Sequence, residues 1–347
     1  RAEKLTSGLA DEQVRWKASV DGFNQRIANL VGDVLLSAAC ISYYGAFTGV
    51  YRESITGQWL EYCLGLNIPT SEGFSLLSTM GDPVTLRDWQ INGLPTDSVS
   101  ADSAILVTRG KRWPLMIDPQ EQAKKWIYNM EAKSKLSTTR IDNPNMLRTL
   151  ENCIRIGTPL LVEDIGEYLD PALEPVLARA VFKQGGRLLI HLGDSDVDYD
   201  PTFRMYISTK LPNPHYLPEV CIKVTVINFT VTQMGLEDQL LGAVVKKERP
   251  DIELKKNRLV VSMAADKKQL QELEDRILKC LSESKGNILD DVELIATLGE
   301  SKKLSGVISE RLKESERTEA EINEMRNKYS PVARRGALIY FGIADLA

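Results

Sequence analysis

Between residues 156 and 209, short apolar runs alternate with turn-rich connections, and this alternation restricts the chain to an α/β architecture. Leu160-Leu161-Val162 follows the turn Ile156-Gly157-Thr158-Pro159 and ends in Glu163-Asp164. A run this short and apolar, bounded by turn residues, reads as a strand buried on both faces of a parallel sheet. Pro171 to Phe182 reads as helical, with Gly185-Gly186 closing the helix. Two more apolar runs follow, Arg187 to Leu192 and Phe203 to Thr209. Strands separated by helical stretches predict a sheet built with crossovers.

An acidic pair at the carboxyl end of a central strand is where P-loop ATPases hold Mg²⁺ and orient the attacking water. Alone, such a pair more often only caps a strand, so its companions decide. Pro114 to Ile117 reads as a strand and the segment after Asp118 as a helix, which is the place for GxxxxGK[ST]. On that pattern Asp118 takes the first glycine, Ala123 the second, Lys124 the lysine and Lys125 the hydroxyl residue. Glycines let backbone N–H groups converge on a phosphate. Asp118 and Glu121 instead bring negative charge to it, and Lys125 supplies no hydroxyl for Mg²⁺. The carboxylates stand in the order Glu163-Asp164, the reverse of the Asp-then-Glu of a working site. Ser208-Thr209 occupies the position of a polar sensor. From Met205 to Phe229 the only cations are Lys210 and Lys223, so a conventional arginine finger is not expected there.

At 347 residues, the chain suits one large domain with appendages, or two domains. A net charge of -5 gives no overall basic footprint for nucleic acid. Five scattered cysteines without a CxxC pair argue against a disulfide framework or a zinc site, and the two histidines cannot build a multi-histidine metal site. No metal ligand set is expected. The chain opens on Arg1 and reads as an excerpt of a longer polypeptide.

Residues 1 to 65 read as helical. Trp16, Val20, Phe23, Ile27, Leu30 and Val34 alternate in steps of four and three, the seam of a coiled coil. Val34 to Tyr51 carries no charge; its serines, glycines and tyrosines point to a helix entering a protein core rather than a membrane. The basic stretch Arg109-Gly110-Lys111-Arg112 reads as a solvated loop. Gln233 to Glu248 reads as a helix broken at Arg249-Pro250. From Leu254 to Tyr329 the chain is charged and long-helical. Leu270, Leu273, Ile277 and Leu281 form one seam, and Arg311, Ser315 and Thr318 place polar residues in the middle of the other. This pattern predicts a projecting antiparallel arm.

These segments together resemble the dynein heavy chain. The matching text is Leu5 to Trp16, Leu86-Arg87-Asp88-Trp89, Arg112-Trp113-Pro114-Leu115-Met116-Ile117-Asp118-Pro119-Gln120, Pro159 to Pro175 and Thr209 to Tyr216. The resemblance covers essentially the whole chain and looks more axonemal than cytoplasmic around Ile68-Pro69-Thr70 and Asp118-Pro119-Gln120. It implies an AAA+ type parallel sheet with flanking helices, plus long antiparallel coiled-coil helices. By this resemblance residues 1–65 are the base of the returning stalk helix and 66–263 a degenerate AAA+ module, fifth in the ring. Residues 264–330 are then the strut or buttress hairpin, and 331–347 the start of the next module.

The implied function is a non-catalytic mechanical module relaying ATP-driven ring movement to the stalk of a minus-end-directed microtubule motor. The alternatives are a divergent ATPase using Lys124, Glu163 and Asp164, and a static scaffold. No cofactor is expected in this module, ATP and Mg²⁺ being held by other modules of the parent chain. The implied partners are neighbouring AAA+ modules and the stalk, with microtubules and the dynein intermediate and light chains reached through the parent chain. Nucleic acid and membrane are not expected. Lys285 and Asp290 are the candidate arm–stalk contacts. The implied location is the cytoplasm or cytoskeleton, in a ciliary or flagellar axoneme.

Overall fold

The computed structural model describes residues 2–283 and 292–344. In chain order, helix α1 (Ala2–Ala39) continues through a π-helical turn, Cys40–Tyr44, and is followed by α2 (Gly49–Gly65), α3 (Leu76–Met80), α4 (Pro83–Ile91) and α5 (Ser98–Arg109). Helices α3, α4 and α5 each start on a side-chain cap: Ser75 accepts from the Ser78 N–H, Asp82 from Thr85 and Asp97 from Ser100. Then come β1 (Trp113–Ile117), α6 (Gln122–Met130), β2 (Ser137–Arg140), α7 (Met146–Ile156) and β3 (Leu160–Glu163). After α8 (Glu174–Leu177) three strands run in succession, β4 (Val181–Gln184), β5 (Arg187–Leu192) and β6 (Ser195–Asp198). Next are β7 (Met205–Thr209), α9 (Pro218–Cys221) and β8 (Val224–Asn228). The long helices α10 (Gln233–Glu248), α11 (Pro250–Glu283) and α12 (Val292–Asn327) precede α13 (Ser330–Ala344).

Two compact units result, residues 31–235 and residues 1–30 with 236–347. The first is organised by a five-stranded, all-parallel sheet in the order β2-β3-β7-β1-β8. Side chains alternate between two cores, as the two-residue period of a strand requires. Leu115, Leu160, Val162, Met205 and Ile207 face the core built with α7 and α8. Met116, Leu161, Tyr206 and Ile227 face the core built with α5, α6 and the foot of α1. On that side Leu36, Cys40 and Tyr44 are buried, so the uncharged stretch does enter a core. By length and composition Ser19–Tyr44 also passes as a membrane span.

One expectation is overturned. Residues 181–184 are a strand, and Arg187–Leu192 belongs to a separate antiparallel sheet in the order β4-β5-β6 rather than to the central sheet. Gly185 and Gly186 both take positive φ (57° and 80°), and Gln184 pairs with Arg187 across them. Two successive left-handed residues make a tight hairpin turn whose twist matches the flanking strands, so the glycines join strands instead of ending a helix. This small sheet contributes Ile190, Leu192 and Val197 to the core built with α7 and α8.

Arg52 of α2 is buried and ties three elements of this unit together. Its guanidinium donates to the carbonyls of Phe47 (2.9 Å), Gly45 (2.8 Å), Val99 (3.3 Å) and Asn228 (3.3 Å) and to the Ser103 hydroxyl (3.0 Å). Burial lowers its pKa, and these acceptors satisfy its donors.

In the other unit, early residues of α11 meet late residues of α12. Ile252 and Leu259 pack with Ile322, and Met263 and Leu273 with Ile308 and Leu312. The polar middle of the α12 seam is Ser305 and Ser315, both buried. Arg311 is half-exposed and flanks the seam, gripping the buried Asp266 of α11 with two guanidinium nitrogens. Val20, Phe23, Ile27 and Leu30 of α1 are each more than half exposed.

Candidate functional site

The connection leaving β1 runs toward β2 at one edge of the sheet, whereas the one leaving β7 runs toward β8 at the other. Open parallel sheets bind ligands outside the carboxyl ends of their strands at such a switch point. Asp118 follows β1, Glu163 and Asp164 end and follow β3, and Ser208 and Thr209 close β7. The fold therefore brings together the residues that the sequence singles out.

Asp118 is 2% exposed. Its Oδ1 accepts the Gln122 N–H at 2.8 Å and its Oδ2 the Lys124 N–H at 2.9 Å. These amides open α6, where unsatisfied N–H groups and the helix dipole favour an anion. Burial raises the pKa of Asp118, opposed by the N–H groups of Lys124, Gln122 and Ala123.

Glu121, in the left-handed region at φ 57°, bonds Lys124 Nζ at 3.2 Å and Lys210 Nζ at 3.0 Å. Its bonds to Lys210 and then Lys124 hold its carboxyl below the usual range. Lys124 Nζ also lies 3.1 Å from Glu163 Oε2. Partial burial would lower the Lys124 pKa, but its bonds to Glu163 and Glu121 outweigh that and raise it. The Tyr128 hydroxyl donates to Glu163 Oε1 at 2.6 Å. Asp164, at φ 53°, meets Arg140 at 3.0 Å and Lys210 at 3.5 Å. Both oxygens of Asp118, Glu163 and Asp164 thus face a donor from the chain itself. Four carboxylates meet three cations, a formal charge of -1.

The other sequence candidates serve local structure. Ala123 is buried in the core and Lys125 is exposed. The Thr209 hydroxyl donates to the Ile165 carbonyl at 2.7 Å and accepts the Leu211 N–H at 3.2 Å, bracing the loop after β3. Ser208 is buried beside it, its carbonyl accepting the Ile165 N–H. Lys285 and Asp290 lie outside the described residues. Sequence reasoning missed Tyr128 and Arg140. Tyr128 stands four residues after Lys124, so helical spacing alone puts them on one face. Arg140 ends β2, whose polar Ser-Thr-Thr-Arg text hides a strand, and the register sets it beside Glu163.

The family model described as the ATP-binding dynein motor region matches residues 87–308, and that of the microtubule-binding stalk of the dynein motor matches residues 1–63. Over its full 347 residues the chain is 55% identical to dynein axonemal heavy chain 6 of Homo sapiens and 50% identical to dynein axonemal heavy chain 3 of Homo sapiens. It is 46% identical to dynein axonemal heavy chain 1 of Mus musculus. It spans 8% of the length of each of these relatives. A parallel sheet flanked by helices fits the AAA+ fold, and α1 falls in the stalk match. The chain belongs to the dynein heavy chains, on their axonemal branch, and so to the cytoskeleton of the cilium and flagellum.

Proposed function

We propose that this chain is a nucleotide-independent mechanical module of the heavy-chain ring, passing ring movement to the stalk. The observation that carries this reading is the self-filled pocket. Asp118 sits on the α6 amides that would cradle a phosphate, and Lys124 is paired with Glu163 instead of being free for one. ATP would have to displace a buried carboxylate and break these ion pairs, then place its own negative charge beside four others.

In this reading residues 1–65 form the base of the returning stalk helix, whose exposed stripe from Val20 to Leu30 awaits a coiled-coil partner. Arg52 fastens the helix after it to α5 and β8, so displacement of the module displaces the stalk base. The pair α11 and α12 is the strut, leaning on the stalk through its tip, where Lys285 and Asp290 are the proposed contacts. The whole heavy chain would be a minus-end-directed, ATP-driven microtubule motor, with intermediate and light chains as its further partners. No nucleic acid or membrane enters this reading.

A second reading is a weak ATP site, favoured by the match to an ATP-binding region. Titration of this chain with a fluorescent ATP analogue and Mg²⁺ separates the two. The mechanical reading expects no saturable binding below about millimolar concentration, where the binding free energy is roughly −4 kcal/mol. Micromolar affinity that disappears in Lys124→Ala would establish the second reading instead.

A further inference from the structure

Helix α1 becomes buried at Gly32. Among the described residues of the helix, Gly32 and Asp33 are the first buried ones, and Leu36, Ser37 and Cys40 continue that face at helical spacing. The segment that follows α2 crosses the helix at this point. Asp33 is 6% exposed, and both of its oxygens go to one residue of that segment. Its Oδ1 accepts the Ser71 N–H at 2.8 Å and its Oδ2 the Ser71 hydroxyl at 2.6 Å. Gly32 leaves no room for a side chain. A Cβ there would collide with the Pro69 carbonyl oxygen and lie 2.7 Å from the Thr70 methyl, so only glycine lets the two backbones come this close.

The crossing segment is itself held. Ile68 donates its N–H to the Cys63 carbonyl at 2.9 Å and packs on the core built with α5 and α6, where Phe74 is buried a few residues later. Pro69 between them has a fixed φ. A second fastening lies further along the chain, where the Gly45 carbonyl accepts the Asn228 N–H and Arg52 Nη2, both at 2.8 Å. That one stands beyond the π-helical turn Cys40–Tyr44. A π-helical turn carries an extra residue, so the register on one side of it does not determine the register on the other. Of these two fastenings, only Gly32–Asp33 acts on α1 itself.

We propose that Gly32 and Asp33 are positioning residues that set the rotation and axial position of the stalk helix on this module, with the segment 68–71 as their fitting. The inference rests on the mechanical reading above and names the residues through which it acts. A slip of one residue would turn the helix by about 100° and shift it by about 1.5 Å. The exposed stripe from Val20 to Leu30 would then turn away from a coiled-coil partner set to receive it. The clamp opposes such a slip in both directions. Asp33 can meet both donors of Ser71 in one rotation only, and a slip either way brings the Cβ of Val31 or of Asp33 against the Pro69 carbonyl.

The test uses the intact heavy chain and reads ATP turnover without and with microtubules. Asp33→Leu removes both acceptors and Gly32→Ala forces the crossing segment off the helix. Each should lower microtubule stimulation about fivefold or more while turnover without microtubules stays within about twofold. Asp33→Asn should keep the stimulation, because its amide still accepts the Ser71 N–H and donates to the hydroxyl oxygen. Asp82→Leu is the control for a merely local role, since Asp82 makes the same pair of bonds, to Thr85 at 2.9 and 2.6 Å, at the start of α4. It should leave the stimulation unchanged. If Asp33→Leu does not fold, Ser71→Ala takes its place with a smaller fall, having lost the hydroxyl bond alone. Stimulation that persists in Asp33→Leu or its substitute overturns the proposal. So does an equal fall in Asp82→Leu, or an Asp33→Asn protein as impaired as Asp33→Leu. Arg52→Lys keeps its charge but cannot bridge the five acceptors of Arg52, and it separates two kinds of failure. Stimulation lowered by Arg52→Lys and intact in Asp33→Leu refutes the positioning role alone, whereas stimulation intact in both removes the mechanical reading with it.

Discussion

If the Asp118 carboxylate stands where a phosphate would, then removing it should create an anion site where there was none. Asp118→Ala takes away the acceptor of two amides at the start of α6, those of Gln122 and Lys124. Loss of a helix-capping side chain costs about 0.5–2 kcal/mol, and each buried donor left without a partner costs about 1–3 kcal/mol. Two terms offset part of this. The ionised carboxylate is itself disfavoured by burial, as its raised pKa records, and water can enter the space it leaves. The net expectation is a loss of about 2 kcal/mol, read from urea unfolding followed by tryptophan fluorescence. Trp126 lies fully buried on α6 and reports the region. Pyrophosphate should then restore part of the loss in the variant and nothing in the parent. At a concentration about ten times its dissociation constant, a ligand of the native state alone contributes about 1.4 kcal/mol. An Asp118→Ala protein as stable as the parent refutes the reasoning, and so does pyrophosphate that stabilises both equally.

Lys124→Met should destabilise the chain by about 1–3 kcal/mol, because it leaves the nearly buried Glu163 with only Tyr128. Adding Glu163→Gln in that background should recover part of the loss, and urea midpoints of the two single and the double variants check the coupling. Asp102 of α5, near Tyr44 and Arg52, is raised to about 6 by burial and binds its proton more tightly folded than unfolded, so stability should fall as pH rises from about 4 to 6 and stay lower above. Asp102→Asn should flatten that segment of the curve, a difference of about 2–3 kcal/mol for a two-unit shift. Arg311→Ala should leave the buried Asp266 unpaired and speed amide exchange around Met263 and Leu312. Arg317→Ala, which loses only an exposed pair with Glu321, should leave that exchange unchanged.

Much of the organisation was legible from text alone, because it rests on local rules. The helix Gln233–Glu248 matches the structure residue for residue, and of the expected break at Arg249-Pro250 it is Arg249 that lies between the helices, Pro250 opening α11. The apolar run ending at Ile117 is a buried strand, and Asp118, Lys124, Glu163 and Asp164 do gather at one end of the sheet. Strand length, apolar content and motif spacing carry that information within a few residues of each site.

Tertiary structure decided what depends on partners far along the chain. Gly185-Gly186 suits a helix end or a hairpin turn equally in isolation; Ile190, Leu192 and Val197 finding the core built with α7 and α8 selected the hairpin. Sequence placed Arg311 within a seam, and only the packing of α12 on α11 turned it aside onto Asp266. The carboxylate partners of Lys124 could not be read either. Glu121 is local, but Glu163 arrives from a strand that pairs on the far side of β7, and a long flexible cation takes the charges that the fold brings within reach. Local spacing determines which residues lie near the pocket, whereas non-local strand pairing determines which charges neutralise one another inside it.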